Sequence, residues 1–156
     1  MKDSFFCPEI RGCVEPDLPT ARWLSMLLAK EMDEISSLLF RSLRVEEADP
    51  VLAQCFDDAA RESLVQLRLA MRLYLALGGE MRWRFSRRGT GRRGCEADGS
   101  PAALLTAAVA SLEALGDEYR ALARRCHGGV EGAVLECLEA GKRALSAFLQ
   151  SAGEAN

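Results

Sequence analysis

Apolar residues recur along most of this chain at steps of three and four, which is the spacing of one face of an α-helix. Four segments show this pattern, and breaks rich in glycine or proline separate them. The sequence therefore predicts four helices, at about residues 20–45, 50–78, 101–126 and 130–151. A long connection, residues 79–100, is predicted between the second helix and the third.

An acid interrupts the apolar stripe of two of these helices. In the first helix Glu31 lies between Leu28 and Ile35, and in the second helix Glu62 follows Ala59 at helical spacing. Both carboxylates are therefore candidates for the interior of a helical bundle. The stripe predicted for the second helix is Cys55, Ala59, Glu62, Gln66, Leu69 and Leu73, and that for the fourth is Val134, Cys137, Gly141, Ala144, Leu145 and Phe148.

The lengths of the connections predict how the helices are arranged. Short turns join the first two helices and the last two, so each pair forms an antiparallel hairpin. About twenty residues between the hairpins, at roughly 3.3 Å each, span a helix of about thirty residues, which is roughly 45 Å long. A long crossover loop between two antiparallel hairpins defines an all-α, ferritin-like four-helix bundle. We assign this bundle to residues 19–152, after an irregular N-terminal segment, residues 1–18.

Composition agrees with one all-α domain, since 156 residues are enough for a single core and aromatic residues make up only 6%. The formal charge of -3 gives no general attraction to nucleic acid or anionic membranes. Neither a signal peptide nor a long apolar span is evident, so we expect a cytoplasmic protein that does not contact a membrane.

The cysteines are expected to be reduced thiols, because a chain of this size needs no disulfide framework. Cys55 and Cys137 lie at helical positions and are predicted to be small buried apolar residues. A zinc site is the less favoured alternative, because the spacing lacks paired C-x-x-C motifs. Its ligands would come from Cys7, Cys13, Cys95, Cys126 and His127.

Several segments resemble one known family. These are EMDEISSLLF in the first helix, the ending LALGG of the second helix, LEALGDEYRALARR in the third and LECLEAGKRALSAF in the fourth. Over about residues 20–150 the chain is similar to the bacterial ferritin-like proteins of the rubrerythrin and manganese-catalase type. That resemblance implies a di-iron or di-manganese site, built from one Glu on each of two helices and a Glu-x-x-His on each of the other two.

The resemblance places two of the six expected ligands on residues able to bind metal. By position, Glu31 matches the carboxylate of the first helix and Glu62 that of the second. The other matched positions hold residues whose side chains bind no metal: Val65, Leu112, Gly141 and Ala144. The resemblance therefore implies a member of the family whose dinuclear site has decayed.

Two carboxylates alone do not hold a pair of redox metals, which need bridging carboxylates and imidazoles from several helices. The sequence predicts a non-catalytic bundle without a cofactor, acting as a structural or interaction protein through a homodimer or another protein partner. One alternative is an iron- or manganese-binding oxidoreductase with a nonstandard site near Glu31 and Glu62. Another is that both are ordinary solvated acids. If both are buried, they need a shared proton, a neutral form, a nearby arginine or a rotated helix.

The predicted crossover contains the arginine-rich segment MRWRFSRRGTGRRG. Guanidinium groups beside Trp83 and Phe85 suit phosphates and stacked bases, so anion or nucleic-acid binding is a third hypothesis. We favour pairing of these arginines with acids of the bundle, which makes nucleic acid an unlikely partner. The candidate anion-binding residues are Arg82, Arg84, Arg87, Arg88, Arg92 and Arg93.

Overall fold

Four long helices make up the part of the chain that the computed structural model describes, which is residues 18–80, 99–126 and 128–154. The helices are α1 (Leu18–Val45), α2 (Pro50–Ala76), α3 (Pro101–Arg125) and α4 (Val130–Glu154). These residues contain no β-strand, so the predicted all-α four-helix fold is confirmed. None of the four helices is long and apolar enough to cross a lipid bilayer.

Local capping interactions explain where α2 and α3 begin and where α2 ends. The Asp49 carboxylate accepts a hydrogen bond of 2.9 Å from the amide of Leu52, and the Ser100 hydroxyl accepts one of 3.2 Å from the amide of Ala103. Each cap is followed by proline in the first turn, where the missing amide hydrogen costs nothing. After α2, Gly78 has a φ of 81°, a conformation that favours glycine and stops the helix.

Contacts between helices define two antiparallel hairpins, α1 with α2 and α3 with α4, which meet through α1–α3 and α2–α4. Later residues of α1 contact earlier residues of α3, since Lys30 bonds to Glu118 and Glu34 to Ser111. Every helix is thus antiparallel to its neighbours, and α2 and α3 run in the same direction. The end of α2 and the start of α3 therefore lie at opposite ends of the bundle, as the predicted crossover topology requires.

The core consists of two apolar halves with a polar layer between them. One half lies at the end where α1 turns into α2 and includes Phe56, Leu104 and Leu149. The other half lies at the opposite end and includes Leu24 and Leu135. Between them, six polar or charged residues are buried: Glu31, Glu34, Ser63, Gln66, Lys142 and Ser146. We call these six residues the central polar layer.

The stripe predicted for α2 was correct at Ala59, Gln66 and Leu73, which are buried, and displaced by one residue at its other three positions. Glu62 and Leu69 are exposed, and the buried positions beside them are Ser63 and Ala70. One residue corresponds to a rotation of about 100° about the helix axis. The true inward stripe follows alternating steps of four and three through Leu52, Phe56, Ala59, Ser63, Gln66, Ala70 and Leu73.

The stripe predicted for α4 was wrong in the same way. Cys137, Ala144 and Phe148 are exposed rather than inward-facing, and Cys55 on α2 is only half-buried. The inward residues of α4 at alternating steps of three and four are Leu135, Leu138, Lys142, Leu145 and Leu149. In α4 the true stripe contains Lys142, and the prediction preferred the neighbouring stripe without a charged residue. In α2 the two stripes are about equally apolar, so helical periodicity alone does not choose between them.

Candidate functional site at the centre of the bundle

A fully buried ion pair joins α1 to α4 across the central polar layer. The Lys142 Nζ donates a hydrogen bond of 2.6 Å to Glu31 Oε2, and both side chains have no exposed surface. The same ammonium lies 3.5 Å from the hydroxyl oxygen of Ser63 on α2. Three of the four helices therefore meet at this ammonium group.

The neighbours of each residue in sequence force both charges into the interior. On α1 Glu31 lies between Leu27 and Leu38 on a stripe of fully buried residues. On α4 Lys142 follows the fully buried Leu138 by one turn of the helix and precedes the buried Leu145 by three residues. Because these leucines must face the core, the charged residues between them cannot turn to solvent without exposing the leucines.

The two charges are tolerable inside the protein only because they face each other. Removing a carboxylate or an ammonium from water costs several kcal/mol in a real protein, and a close, hydrogen-bonded partner offsets much of that penalty. At 2.6 Å the Glu31–Lys142 contact is a charge-assisted hydrogen bond of the strong kind. The pair consequently favours one alignment of α1 against α4, since sliding either helix by a turn would strand both charges.

Other polar groups of the centre have no hydrogen-bond partner within the described residues. These atoms are Glu31 Oε1, Gln66 Oε1 and the hydroxyl oxygen of Tyr119, all shielded from solvent. Burial raises the pKa of the Tyr119 phenol, and the negative charge of the neighbouring Glu31 raises it further. Tyr119 thus stays a neutral hydroxyl beside the carboxylate, without the geometry of a formed hydrogen bond.

The amide of Gln66 occupies space that a side chain on α4 would otherwise fill. A Cβ atom built on Gly141 would lie 2.6 Å from the Gln66 Nε2 and 2.8 Å from its Cδ, closer than real contacts allow. The glycine therefore lets α2 approach α4 with the amide between them. Any larger residue at position 141, a metal-binding one included, requires Gln66 to move.

A second charged cluster extends the polar layer toward the α1–α3 groove. Glu34 is only 5% exposed, and its Oε1 accepts a bond of 3.2 Å from Arg41 Nη1. The Ser111 hydroxyl of α3 donates to the other carboxylate oxygen. Burial raises the pKa of Glu34, and the Ser111 hydrogen bond and the nearby charges of Arg41 and Lys142 oppose that rise only in part.

Of the two glutamates that the resemblance matches to metal ligands, only one faces the core. Glu31 lies in the core as expected, whereas Glu62 is exposed on α2 one position away from the inward-facing Ser63. Among the other matched positions, Val65 and Ala144 are also exposed. Within residues 18–80, 99–126 and 128–154, no three side chains of His, Cys, Asp or Glu are grouped to hold a metal ion.

Lys142 is the buried charged residue at this centre that the sequence analysis missed. The sequence analysis named four ways to offset the cost of burying Glu31, and among them only the arginine brings a positive charge. In the structure, a lysine on another helix supplies that charge. The signal was available, because Leu135, Leu138, Leu145 and Leu149 surround Lys142 at alternating steps of three and four. A lysine on such a stripe is far more informative than one on a polar face.

The remaining candidate residues fall outside the part of the chain that the structure describes. This holds for the six arginines of the anion-binding hypothesis, for His127, and for Cys7, Cys13 and Cys95 of the zinc alternative. Cys126, at the end of α3, is described and half-buried. Anion binding by the arginine-rich segment therefore stays a prediction.

The exterior of the bundle is strongly asymmetric. Among the described residues, ten large apolar side chains are exposed on the α1–α2 hairpin, none on α3, and two on α4. Those on α1 are Met26, Met32, Leu39, Phe40 and Leu43, and those on α2 are Val51, Leu64, Val65, Leu69 and Leu75. Scattered apolar residues are normal on a surface, but their concentration on one hairpin marks that face as a candidate for contact with another protein.

Comparisons of the whole chain with protein-family models, with curated proteins and with solved structures find no match. The resemblance to ferritin-like proteins accordingly stays a prediction. The four-helix architecture rests on the structure itself, and the assignment of the site rests on the contacts described above.

We expect Lys142→Met to lower the free energy of unfolding by about 3 to 5 kcal/mol, because it leaves Glu31 buried and unpaired. Glu31→Leu should do the same by stranding the ammonium. The double variant Glu31→Leu/Lys142→Met should recover most of that loss, since it removes both charges. Urea unfolding followed by circular dichroism measures all three values.

Lys30→Met is the matched control for this cycle. Lys30 also pairs with a glutamate, Glu118, at 2.5 Å, but its side chain is 48% exposed. Its loss should change stability by less than about 1 kcal/mol. A Lys142→Met variant no less stable than this control would contradict a buried pair.

Glu34 should make the protein less stable as the pH rises from about 5 to about 7.5. Its pKa is raised in the folded state, so the folded protein retains a proton that the unfolded chain has already released. The free energy of folding that the Glu34 carboxyl contributes is fully present below its ordinary pKa and is lost as the pH rises through its raised pKa in the folded state. The stability of Glu34→Gln relative to the wild type should therefore increase with pH over that range, as urea titrations at both pH values would show.

Glu62→Gln provides the comparison for the pH experiment, because Glu62 is an exposed acid on α2. Its stability relative to the wild type should stay nearly constant over the same pH range. A relative stability of Glu34→Gln that falls with rising pH would show that the ion pair with Arg41 outweighs burial.

Proposed function

We propose that this protein is a non-catalytic four-helix bundle that acts by binding another protein chain through the exterior of its α1–α2 hairpin. The observation that carries the proposal is the Glu31–Lys142 ion pair, fully buried at the middle of the bundle. A bundle enzyme of the dinuclear type needs inward-facing carboxylates there that are open to metal and substrate. Of Glu31 and Glu62, only Glu31 faces inward here, and its carboxylate already has a cation, the ammonium of Lys142.

The ammonium of Lys142 competes directly with any metal for Glu31. A metal bound at Glu31 Oε2 would have to displace an ammonium that has no route to water, since Lys142 has no exposed surface. The displaced charge would then be buried without a partner, at a cost of several kcal/mol. Ser63, Gln66 and Tyr119 offer only neutral oxygens, and the buried carboxylate of Glu34 is already bonded to Arg41 and Ser111, so these groups do not repay that cost.

The surface of the first hairpin supports the binding half of the proposal. Large apolar side chains on α1 are more than half exposed at Phe40 (61%) and Leu43 (70%). By contrast, the exposed positions of α3 carry acids, arginines, alanines and one threonine. The apolar face therefore belongs to the hairpin that begins the bundle and is not a general property of the molecule.

The oxidoreductase alternative has less support from these contacts. It needs Glu31 and Glu62 in one site, and Glu62 lies on the surface of α2. The measurement of metal retention described next tests this alternative.

Protein incubated with Fe²⁺ or Mn²⁺ and then desalted should retain well below one metal ion per chain by elemental analysis. Lys142→Ala provides an informative second sample, because removing the ammonium frees Glu31 and leaves room at the centre. Two tightly retained metal ions per wild-type chain would overturn the proposed closed centre.

A photoactivatable cross-linking amino acid placed at position 43 should yield covalent adducts with protein in cells that express the chain. The same amino acid at position 121 is the matched control, because Ala121 is exposed on α3, outside the apolar hairpin. Adducts at position 121 but not at position 43 would contradict the proposed binding face.

A further inference from the structure

The second half of α2 exposes only apolar residues and arginines. Between Ser63 and Ala76, six positions are exposed, and each of them carries leucine, valine or arginine. A helix face that meets only water is usually rich in Glu, Lys and Gln, whereas arginine and large apolar residues are typical of protein interfaces. We call these six residues the α2 surface: Leu64, Val65, Arg68, Leu69, Arg72 and Leu75.

Helical spacing brings the six residues together on the outward side of α2. Positions 64, 68, 72 and 75 succeed one another at steps of four, four and three, and positions 65 and 69 flank them at a step of four. The apolar members are between 36% (Leu69) and 59% (Val65) exposed. The α2 surface is therefore a continuous stripe about 17 Å long, which is about three turns of a helix.

Both charges of the α2 surface are positive, and no acid of the bundle neutralises them. All three acids of α2, Asp57, Asp58 and Glu62, precede this half of the helix. Among the described residues, neither Arg68 nor Arg72 has an ion-pair partner. A molecule that covers the stripe must therefore bring negative charge, because a guanidinium covered without a partner loses its hydration for nothing.

We infer that the α2 surface binds an acidic amphipathic helix of a partner protein. Apolar side chains of that helix pack on the leucines and the valine of the stripe, and its carboxylates pair with Arg68 and Arg72. This inference rests on the proposed function and states the chemistry of the partner.

The backbone of α2 explains why the partner segment is a helix. The amide and carbonyl groups along residues 63–76 are bonded within α2, so an extended peptide finds no backbone partners on this stripe. A helix satisfies its own backbone and presents a stripe of side chains that interdigitate with those of α2.

The spacing of the two arginines sets the position of the acids. Arg68 and Arg72 are one helical turn apart, about 6 Å along the axis. Two carboxylates of the partner at a spacing of three or four residues match that distance. Each can accept two parallel hydrogen bonds from a guanidinium, which a lysine in the same place could not offer.

The charges next to the stripe favour a narrow partner over an anionic membrane. Asp58 and Glu62 are exposed on α2 just before the stripe begins. A helix about 10 Å wide covers the stripe without reaching across the whole hairpin. A flat anionic surface extends beyond the stripe and meets these acids too, where like charges repel.

Selection from a displayed peptide library tests the inference. The library presents one helical peptide with a stripe of leucines, and the positions that flank the stripe are randomised. Peptides that bind the full chain should be enriched in Asp and Glu at a spacing of one turn, because that spacing matches Arg68 and Arg72. Enriched peptides without acids, or no enrichment at all, overturn the inference.

Fluorescence anisotropy of the most enriched peptide locates its binding site. Arg68→Glu/Arg72→Glu should bind it at least about tenfold more weakly than the wild type, because both ion pairs become repulsive. Arg124→Glu/Arg125→Glu is the matched control, since it makes the same change of charge at two exposed arginines of α3. An equal loss of affinity in the two double variants contradicts a specific site on α2. Arg68→Gln/Arg72→Gln should also weaken binding, and it introduces no repulsion that could disturb the helix.

Vesicles of equal parts phosphatidylserine and phosphatidylcholine test the competing membrane surface. The wild type should remain in solution when these vesicles are sedimented. Sedimentation of the wild type with the vesicles, lost in Arg68→Glu/Arg72→Glu, would assign the stripe to anionic lipid and overturn the partner helix.

The cross-linking experiment at position 43 separates failure of this inference from failure of the proposed function. Protein adducts at position 43 without an acidic peptide that binds the α2 surface leave the proposed function standing and overturn this inference. No adduct at position 43 overturns both, because the inference rests on the proposed function.

Discussion

Two opposite charges sealed inside the bundle constrain the rest of this structure. Glu31 and Lys142 have no exposed surface and meet at 2.6 Å, so neither is acceptable in the core without the other. The helices that carry them, α1 and α4, are in different hairpins. The ion pair therefore ties the hairpins together at one height, which apolar packing alone specifies less sharply because leucines tolerate sliding and repacking.

The position of the pair also explains the division of the core. Apolar clusters at both ends of the bundle supply most of the buried hydrophobic surface, and the central polar layer lies between them. A polar layer generally lowers the hydrophobic gain of a bundle but penalises alternative alignments, in which its groups would lose their partners. Gln66 against Gly141 contributes a steric component to the same selection, because only glycine leaves space for that amide.

The interior and the exterior of the four helices differ in the side chains that they bring together. Polar groups at the centre form hydrogen bonds with one another at some of their atoms but not at all of them. Tyr119 stays neutral beside Glu31. The α1–α2 exterior instead presents large apolar side chains that are exposed in the described part of the chain. An interface built there would remove apolar surface from water at roughly 25 cal/mol per Å², without altering the buried pair.

The sequence by itself determined the number of helices, their approximate ends and the two hairpins, and it placed Glu31 on an apolar stripe. These features follow from local properties: helical periodicity, the Asp-Pro and Ser-Pro starts, the glycines that end helices, and the lengths of the connections. Tertiary structure decided which face of α2 and α4 turns inward, since Glu62 and Ser63 are adjacent and only packing against other helices chooses between them. It also decided that Lys142, 111 residues after Glu31, neutralises that carboxylate. A pairing at such separation depends on helix alignment in space, which no local pattern encodes.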